Sequence, residues 1–167
     1  MSKQQPIIIT MVCNKGGVGR STTTINIAWK LAELGMKTLV VDLDAQCNTS
    51  MTLAVDYIID VAKSNKSLTN CIADERGTFW AYKTDTRHSN LDLLGATILL
   101  DETEENMKSQ PIPTHILQSK LDTETLNYYD FILFDTPPSK HSKLLHNALV
   151  ISDYYWYIIG SEDIWAL

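Results

Sequence analysis

A cluster of glycines and three separated aspartates are the residues of this sequence that could act together on a phosphorylated ligand. The stretch Cys13–Thr24 reads CNKGGVGRSTTT, with Gly16, Gly17 and Gly19 inside four positions. Glycine permits positive φ and leaves its amide uncovered, so consecutive N–H groups can converge on an anion. An apolar run, Ile7–Val12, precedes the loop, and a helical pattern follows it. Strand, glycine-rich loop and helix start together make a phosphate cradle, to which the helix adds the positive end of its dipole. Ser21 stands where a hydroxyl can ligate the magnesium that accompanies a nucleotide. The P-loop pattern GxxxxGK[ST] is half met: Asn14 replaces the first glycine and Arg20 the lysine. Asparagine tolerates a left-handed backbone, so Asn14 is a mild departure. Arg20 keeps the charge but is planar and longer, which should push its guanidinium off the lysine's position.

The aspartates gain meaning from where strands end. In open α/β sheets ligands bind beyond the carboxyl ends of the strands. Val12 leads into the glycine loop, Val41 into Asp42-Leu43-Asp44, and Phe134 into Asp135. Asp135, after the apolar run Phe131–Phe134, has the Walker B form, in which a buried strand sets a carboxylate beside the phosphate loop to order magnesium. Asp42 and Asp44, at i and i+2 on a strand end, should point the same way, one towards metal and one towards attacking water. A bare glycine turn, or a strand-end turn begun by Asp, is the plain alternative for each segment alone. Their convergence on one sheet edge favours a nucleotide site. Lys15–Thr22, Asp42, Asp44 and Asp135 should therefore cluster at one end of a mainly parallel sheet, with the Val12 and Phe134 strands as neighbours.

The positioning elements follow from hydrophobic pattern. Ile7–Val12, Thr38–Val41 and Phe131–Phe134 are short apolar runs, which predict fully buried parallel strands. Ser21–Leu34 has helical spacing at Ile25, Ala28, Leu31, Ala32 and Leu34, and Gly35 takes the C′ position. Helices are expected at Ser50–Ala62, Ser67–Asp74, Ile98–Lys108, Thr114–Leu126 and Ser139–Ile151, the last capped by Ser139. Ser109–Pro113 breaks the pattern, 77–90 reads as loop, and Leu91–Leu94 and the aromatic Tyr154–Ile159 read as strands. A further helix begins near Leu167. Strands alternating with helices predict an α/β, doubly wound, mainly parallel sheet flanked by helices in a single domain, 1–167.

Composition narrows the class. With 44% hydrophobic and 20% charged residues, 167 residues can build one substantial core. The net charge of −6 makes the whole chain a poor partner for nucleic acid or anionic lipid. Cys13, Cys47 and Cys71 are odd in number and lack zinc spacing, so reduced cytoplasmic thiols are the simplest account. His88, His115, His141 and His146 match no metal motif. No apolar run approaches the ~20 residues of a membrane helix, and the N-terminus is too short for a signal peptide.

Lys15-Gly16-Gly17-Val18-Gly19-Arg20-Ser21 resembles the deviant Walker A motif KGGxGK[ST] of the ParA/MinD family of dimerising ATPases. Asp135-Thr136-Pro137-Pro138-Ser139 resembles that family's DTPPS segment. Asp42-Leu43-Asp44-Ala45-Gln46-Cys47-Asn48 resembles its DxDPQxN segment, with Ala45 for proline and Cys47 for glycine. The resemblance spans Ile7–Leu167 and favours the plasmid and chromosome partition branch.

It implies a P-loop NTPase fold, ATP and Mg2+ as cofactors, and slow ATP hydrolysis by a nucleotide-dependent homodimer in the cytoplasm. It further implies a ParB-like partner, non-specific DNA binding and no membrane contact. By resemblance, Lys15 reaches the partner's phosphates, Arg20 takes the lysine's place and Asp44 activates water. Lys15, Gly16, Gly17, Val18, Gly19, Arg20, Ser21 and Thr22 cradle the nucleotide, and Ser21, Asp42 and Asp135 stand around the metal. The chain is shorter than a family member and stops where the family adds further strands and helices, so a trimmed piece, a truncated gene and a degenerate copy stay open. Gly160 stands where the family usually has proline. A degenerate, non-hydrolysing nucleotide-binding or protein-interaction module is the alternative reading.

Overall fold

The computed structural model describes residues 5–107 and 115–160. Its elements run β1 (Ile7–Val12), α1 (Arg20–Glu33), β2 (Thr38–Asp42), α2 (Asn48–Leu53), a π-helical turn (Ile58–Ala62), α3 (Leu68–Ala73) and α4 (Phe79–Tyr82). There follow β3 (Thr84–Asp85), β4 (Leu91–Leu94), α5 (Leu100–Met107), α6 (Ile116–Lys120), α7 (Thr123–Tyr128), β5 (Phe131–Asp135), α8 (Lys143–Ile151) and β6 (Tyr154–Tyr157). The strands form one sheet in the order β3-β4-β2-β5-β1-β6. The pairings from β4 to β6 are all parallel, and only the two-residue β3 runs antiparallel. The expected mainly parallel sheet is present, with β1 and β5 side by side.

Both faces of the sheet are covered, which is why its central strands read as unbroken apolar runs. Successive residues alternate between two cores. Ile8, Leu39, Val41, Ile132 and Phe134 pack on one face with Phe79, Leu117, Tyr129 and Leu144. Ile9, Met11, Val40 and Leu133 pack on the other with Ala28 and Ala32 of α1. Gly35 closes α1 in the left-handed region at φ 85°, and the Met36 amide donates back to the Leu31 carbonyl, as a C′ glycine does.

Several expected elements differ. Residues 50–62 are not one helix: Ala54 turns extended (ψ 145°) and bridges Thr86, so α2 ends at Leu53. The single helix expected at Thr114–Leu126 is instead α6 and α7, because Leu121 leaves helical geometry and the Asp122 carboxylate caps a new helix by accepting from the Thr125 amide. Helix α8 starts at Lys143 and is capped by Ser142, not Ser139. Ser142 accepts from the Leu145 amide, and the Glu104 carboxylate accepts from the Lys143 amide. Residues 77–90 hold α4 and β3 rather than loop alone. Strand β6 lies at the sheet edge with all four residues exposed, and Leu34, just past the end of α1, is exposed too. The break at Ser109–Pro113 and the helix near Leu167 lie outside the described residues.

Candidate nucleotide site

Parallel register brings the chemistry to one edge. Met11 of β1 and Asp42 of β2 both stand opposite Asp135 of β5. The chain leaving β1 therefore passes directly beside the two buried aspartates. It turns through residues 14–19 into α1, with Gly17 at φ 79° and Gly19 at φ 88°. These angles, not crowding, demand glycine, since a Cβ at either position would meet nothing within 4 Å. Gly19 is the N-cap of α1, supplies no side-chain bond, and is followed by a first turn free of acids. A helix start of this kind suits an anion.

The loop opens on a cavity of about 410 Å³ lined by Lys15, Gly16, Gly17, Val18, Arg20, Ser21, Thr22 and Asp44. Gln46, Asn48, Thr52 and Pro138 close its other walls. A larger cavity, about 660 Å³, lies on the β3 side. It is lined by Asp60, Lys66, Lys83 and Asp85 and holds no glycine loop.

Arg20 reaches the strand ends while still bordering the cavity. Its Nε donates to Asp135 Oδ1 at 2.8 Å, its Nη2 to Asp44 Oδ2 at 2.7 Å, and its Nη1 to Cys13 Sγ at 3.2 Å. The residue is only 7% exposed. Burial works to lower the guanidinium's pKa, but Asp135 and then Cys13 together outweigh it and hold the pKa above the ordinary value. Asp135 is fully buried, and its other oxygen accepts from Thr49 Oγ1 at 2.5 Å.

Asp42 departs from expectation. β2 ends at Asp42, so strand alternation does not carry on to Asp44, and the two carboxylates do not share a face. Asp42 Oδ1 accepts from the Asp44 amide at 3.1 Å, while Oδ2 accepts from Ser50 Oγ at 2.6 Å and the Ser50 amide at 2.9 Å. Neither its carboxyl nor that of Asp135 lines the cavity. Through these contacts Asp42 holds the 43–50 loop in shape. Burial, then the Asp135 carboxylate, push the Asp42 carboxyl up to about 7.

Thr49 and Ser50 were not singled out from the sequence, although they contact Asp135 and Asp42 directly. Ser50 Oγ also accepts from the Ala96 amide at 2.8 Å, tying the loop to the end of β4. Paired hydroxyls directly after an aspartate-rich strand end were the available signal. Thr136, within the DTPPS-like segment, donates to the Met11 carbonyl at 2.6 Å and locks β5's exit to β1.

A glycine loop between a parallel strand and a helix, with aspartates from two neighbouring strands beside it, defines a P-loop NTPase domain. The family model described as AAA domain (AAA_31) matches residues 7–166. The chain belongs to that family, and within it to the ParA/MinD-type deviant Walker A ATPases. It is 34% identical over 146 residues to the sporulation initiation inhibitor protein Soj of Bacillus subtilis, covering 87% of this chain and 55% of Soj. It is similar to a plasmid partition protein from Borrelia burgdorferi bound to AMPPNP: TM-score 0.78, 28% identity, 93% of this chain and 63% of that one. It is also similar to cobyrinic acid a,c-diamide synthase from Mycobacterium smegmatis with bound ATP analogue and magnesium: TM-score 0.77, 26% identity, 92% and 60%. The chain thus spans little more than half the length of Soj. Among the described residues no helix is long and apolar enough to cross a membrane.

Proposed function

We propose that this chain is a ParA-like ATPase that binds Mg-ATP, dimerises around it and hydrolyses it slowly in plasmid or chromosome partitioning. The observation that carries the reading is the shared cavity: the glycine loop, Ser21 and Asp44 all face it. The residues suit the ligand. The left-handed glycines leave open space where phosphate oxygens would lie, and no acid in the first turn of α1 opposes them. Two relatives of known structure hold ATP analogues, one of them with magnesium.

In this reading the amides of residues 16–19 bind phosphate, and Ser21 and Asp135 hold magnesium, which when bound supplies positive charge across the phosphates. Asp44 orients and activates water, and Lys15 reaches the phosphates of a second copy. Asp42 acts through the loop it braces. ATP, ADP and a ParB-like protein are the proposed partners, and non-specific DNA is at most a weak one for residues 1–167.

A second reading is favoured by the Arg20 contacts. Asp44, the residue proposed to activate water, is ion-paired at 2.7 Å. A chain that keeps this pair with nucleotide bound is a non-hydrolysing binding or interaction module. Equilibrium ATP binding and phosphate release, with and without DNA, separate the two. Binding with slow, measurable release supports the ATPase. Binding with no release supports the nucleotide-binding module, and no binding leaves only a degenerate protein-interaction module.

A further inference from the structure

Arg20 touches three walls of the site at once. Its partners Asp135, Asp44 and Cys13 lie at or just beyond the carboxyl ends of β5, β2 and β1. Nε and Nη2, on one edge of the planar guanidinium, each reach one carboxylate, so Asp44 and Asp135 converge on a single cation. Converging carboxylates are ligands of a hard divalent ion when the space they share is open. Here the chain's own side chain fills that space.

We infer that Arg20 is a tethered cation that keeps the Asp44–Asp135 gap closed to divalent metal until an anion in the glycine loop draws the guanidinium out. Arginine cannot lose its proton in this setting, so raising the pH does not open the gap. What competes with a carboxylate for guanidinium is another forked anion, and phosphate is one. Arg20 lines the same cavity that the glycine loop faces, so the rival anion position is within the site it already borders. A lysine would not do the same: its single ammonium lacks the fork that spans two carboxylates. Loading is therefore ordered, anion first and metal second. This deepens the nucleotide-site reading and rests on it only for the identity of the anion. The contacts to Asp44 and Asp135 stand without it.

The test is Mn2+ binding without nucleotide, read from the free-ion electron paramagnetic resonance signal. Arg20→Gln is expected to bind Mn2+ at least about tenfold more tightly than the unsubstituted protein, because a unit positive charge has left the gap. Adding Asp44→Asn should cancel that gain. Equal affinity with and without Arg20 overturns the inference. Arg20→Gln leaves Asp135 short of a counter-ion and threatens folding, so a second measurement uses the unsubstituted protein. The Arg20 Nε–H nuclear magnetic resonance signal should hold its position through millimolar Mg2+ and shift when ADP or inorganic tripolyphosphate is added. A shift with Mg2+ alone, or none with ADP bound, also overturns it. Failure of ADP to bind contradicts the nucleotide site instead, and the Mn2+ comparison then still decides the role of Arg20.

Discussion

Arg20 and Asp135 stand 115 residues apart in the chain and 2.8 Å apart in the fold. The pair joins the start of α1 to the end of β5, and both partners are buried. A buried ion pair adds little net stability over a well-packed apolar pair, but losing one partner strands the other charge. Arg20→Ala is therefore expected to lower unfolding stability by about 3–5 kcal/mol, read from urea denaturation midpoints. A loss under about 1 kcal/mol, the range of exposed pairs, would show that the contact is not held in solution.

Asp42 sets a pH dependence. Its folded-state pKa is near 7 against an ordinary 3.8, so the folded protein binds this proton more tightly than the unfolded chain. The stability it contributes is fully present below about pH 4 and is lost as pH rises through about 7. Asp42→Asn should flatten the stability profile across that window, measured by denaturation at several pH values. It should also destabilise by about 1–3 kcal/mol, because an amide cannot accept on both sides from Ser50 and the Asp44 amide. An unchanged slope would place the titration elsewhere.

Gly16 and Gly19 should separate folding from binding. Gly19 has φ 88°, so Gly19→Ala carries about 1–2 kcal/mol of left-handed backbone cost in the fold itself. Gly16 has no positive φ and open space at its Cβ, so Gly16→Ala should leave the thermal midpoint unchanged. The added methyl borders the cavity, so nucleotide affinity should fall. Loss of stability in Gly16→Ala with affinity intact would contradict this placement of the cradle.

DNA should bind weakly or not at all to residues 1–167, since non-specific binding rests on phosphate neutralisation and the net charge is −6. Titration at two salt concentrations checks this. Tight binding that falls steeply with salt is the contrary result.

The central strands, the glycine loop and α1 were legible because a strand covered on both faces announces itself as an apolar run. What failed to show was decided by distant contacts. Ser139 and Ser142 are equal candidates for a cap locally, and Glu104, 39 residues before Lys143, bonds the start of α8. Thr84 forms β3 because Leu93's carbonyl accepts its hydroxyl, a partner the polar stretch around it does not reveal. At the site, motif spacing brings the loop, Ser21 and Asp44 to one cavity, whereas β2 ends at Asp42, two residues before Asp44, so strand alternation does not fix how the two carboxylates lie. The contacts of Arg20 depend on two carboxylates that only the fold brings together.

The most direct test of the central claim is single-turnover ATP hydrolysis by the chain and by Arg20→Lys, with nucleotide binding measured in the same preparations. A lysine places a compact charge without spanning Asp44 and Asp135, and misplaced charge costs about 100-fold in rate. The expected result is Mg-ATP binding by both proteins, slow turnover by the Arg20 form, and turnover about 10–100-fold faster for Arg20→Lys. Equal rates in the two proteins, or no nucleotide binding by either, would contradict it.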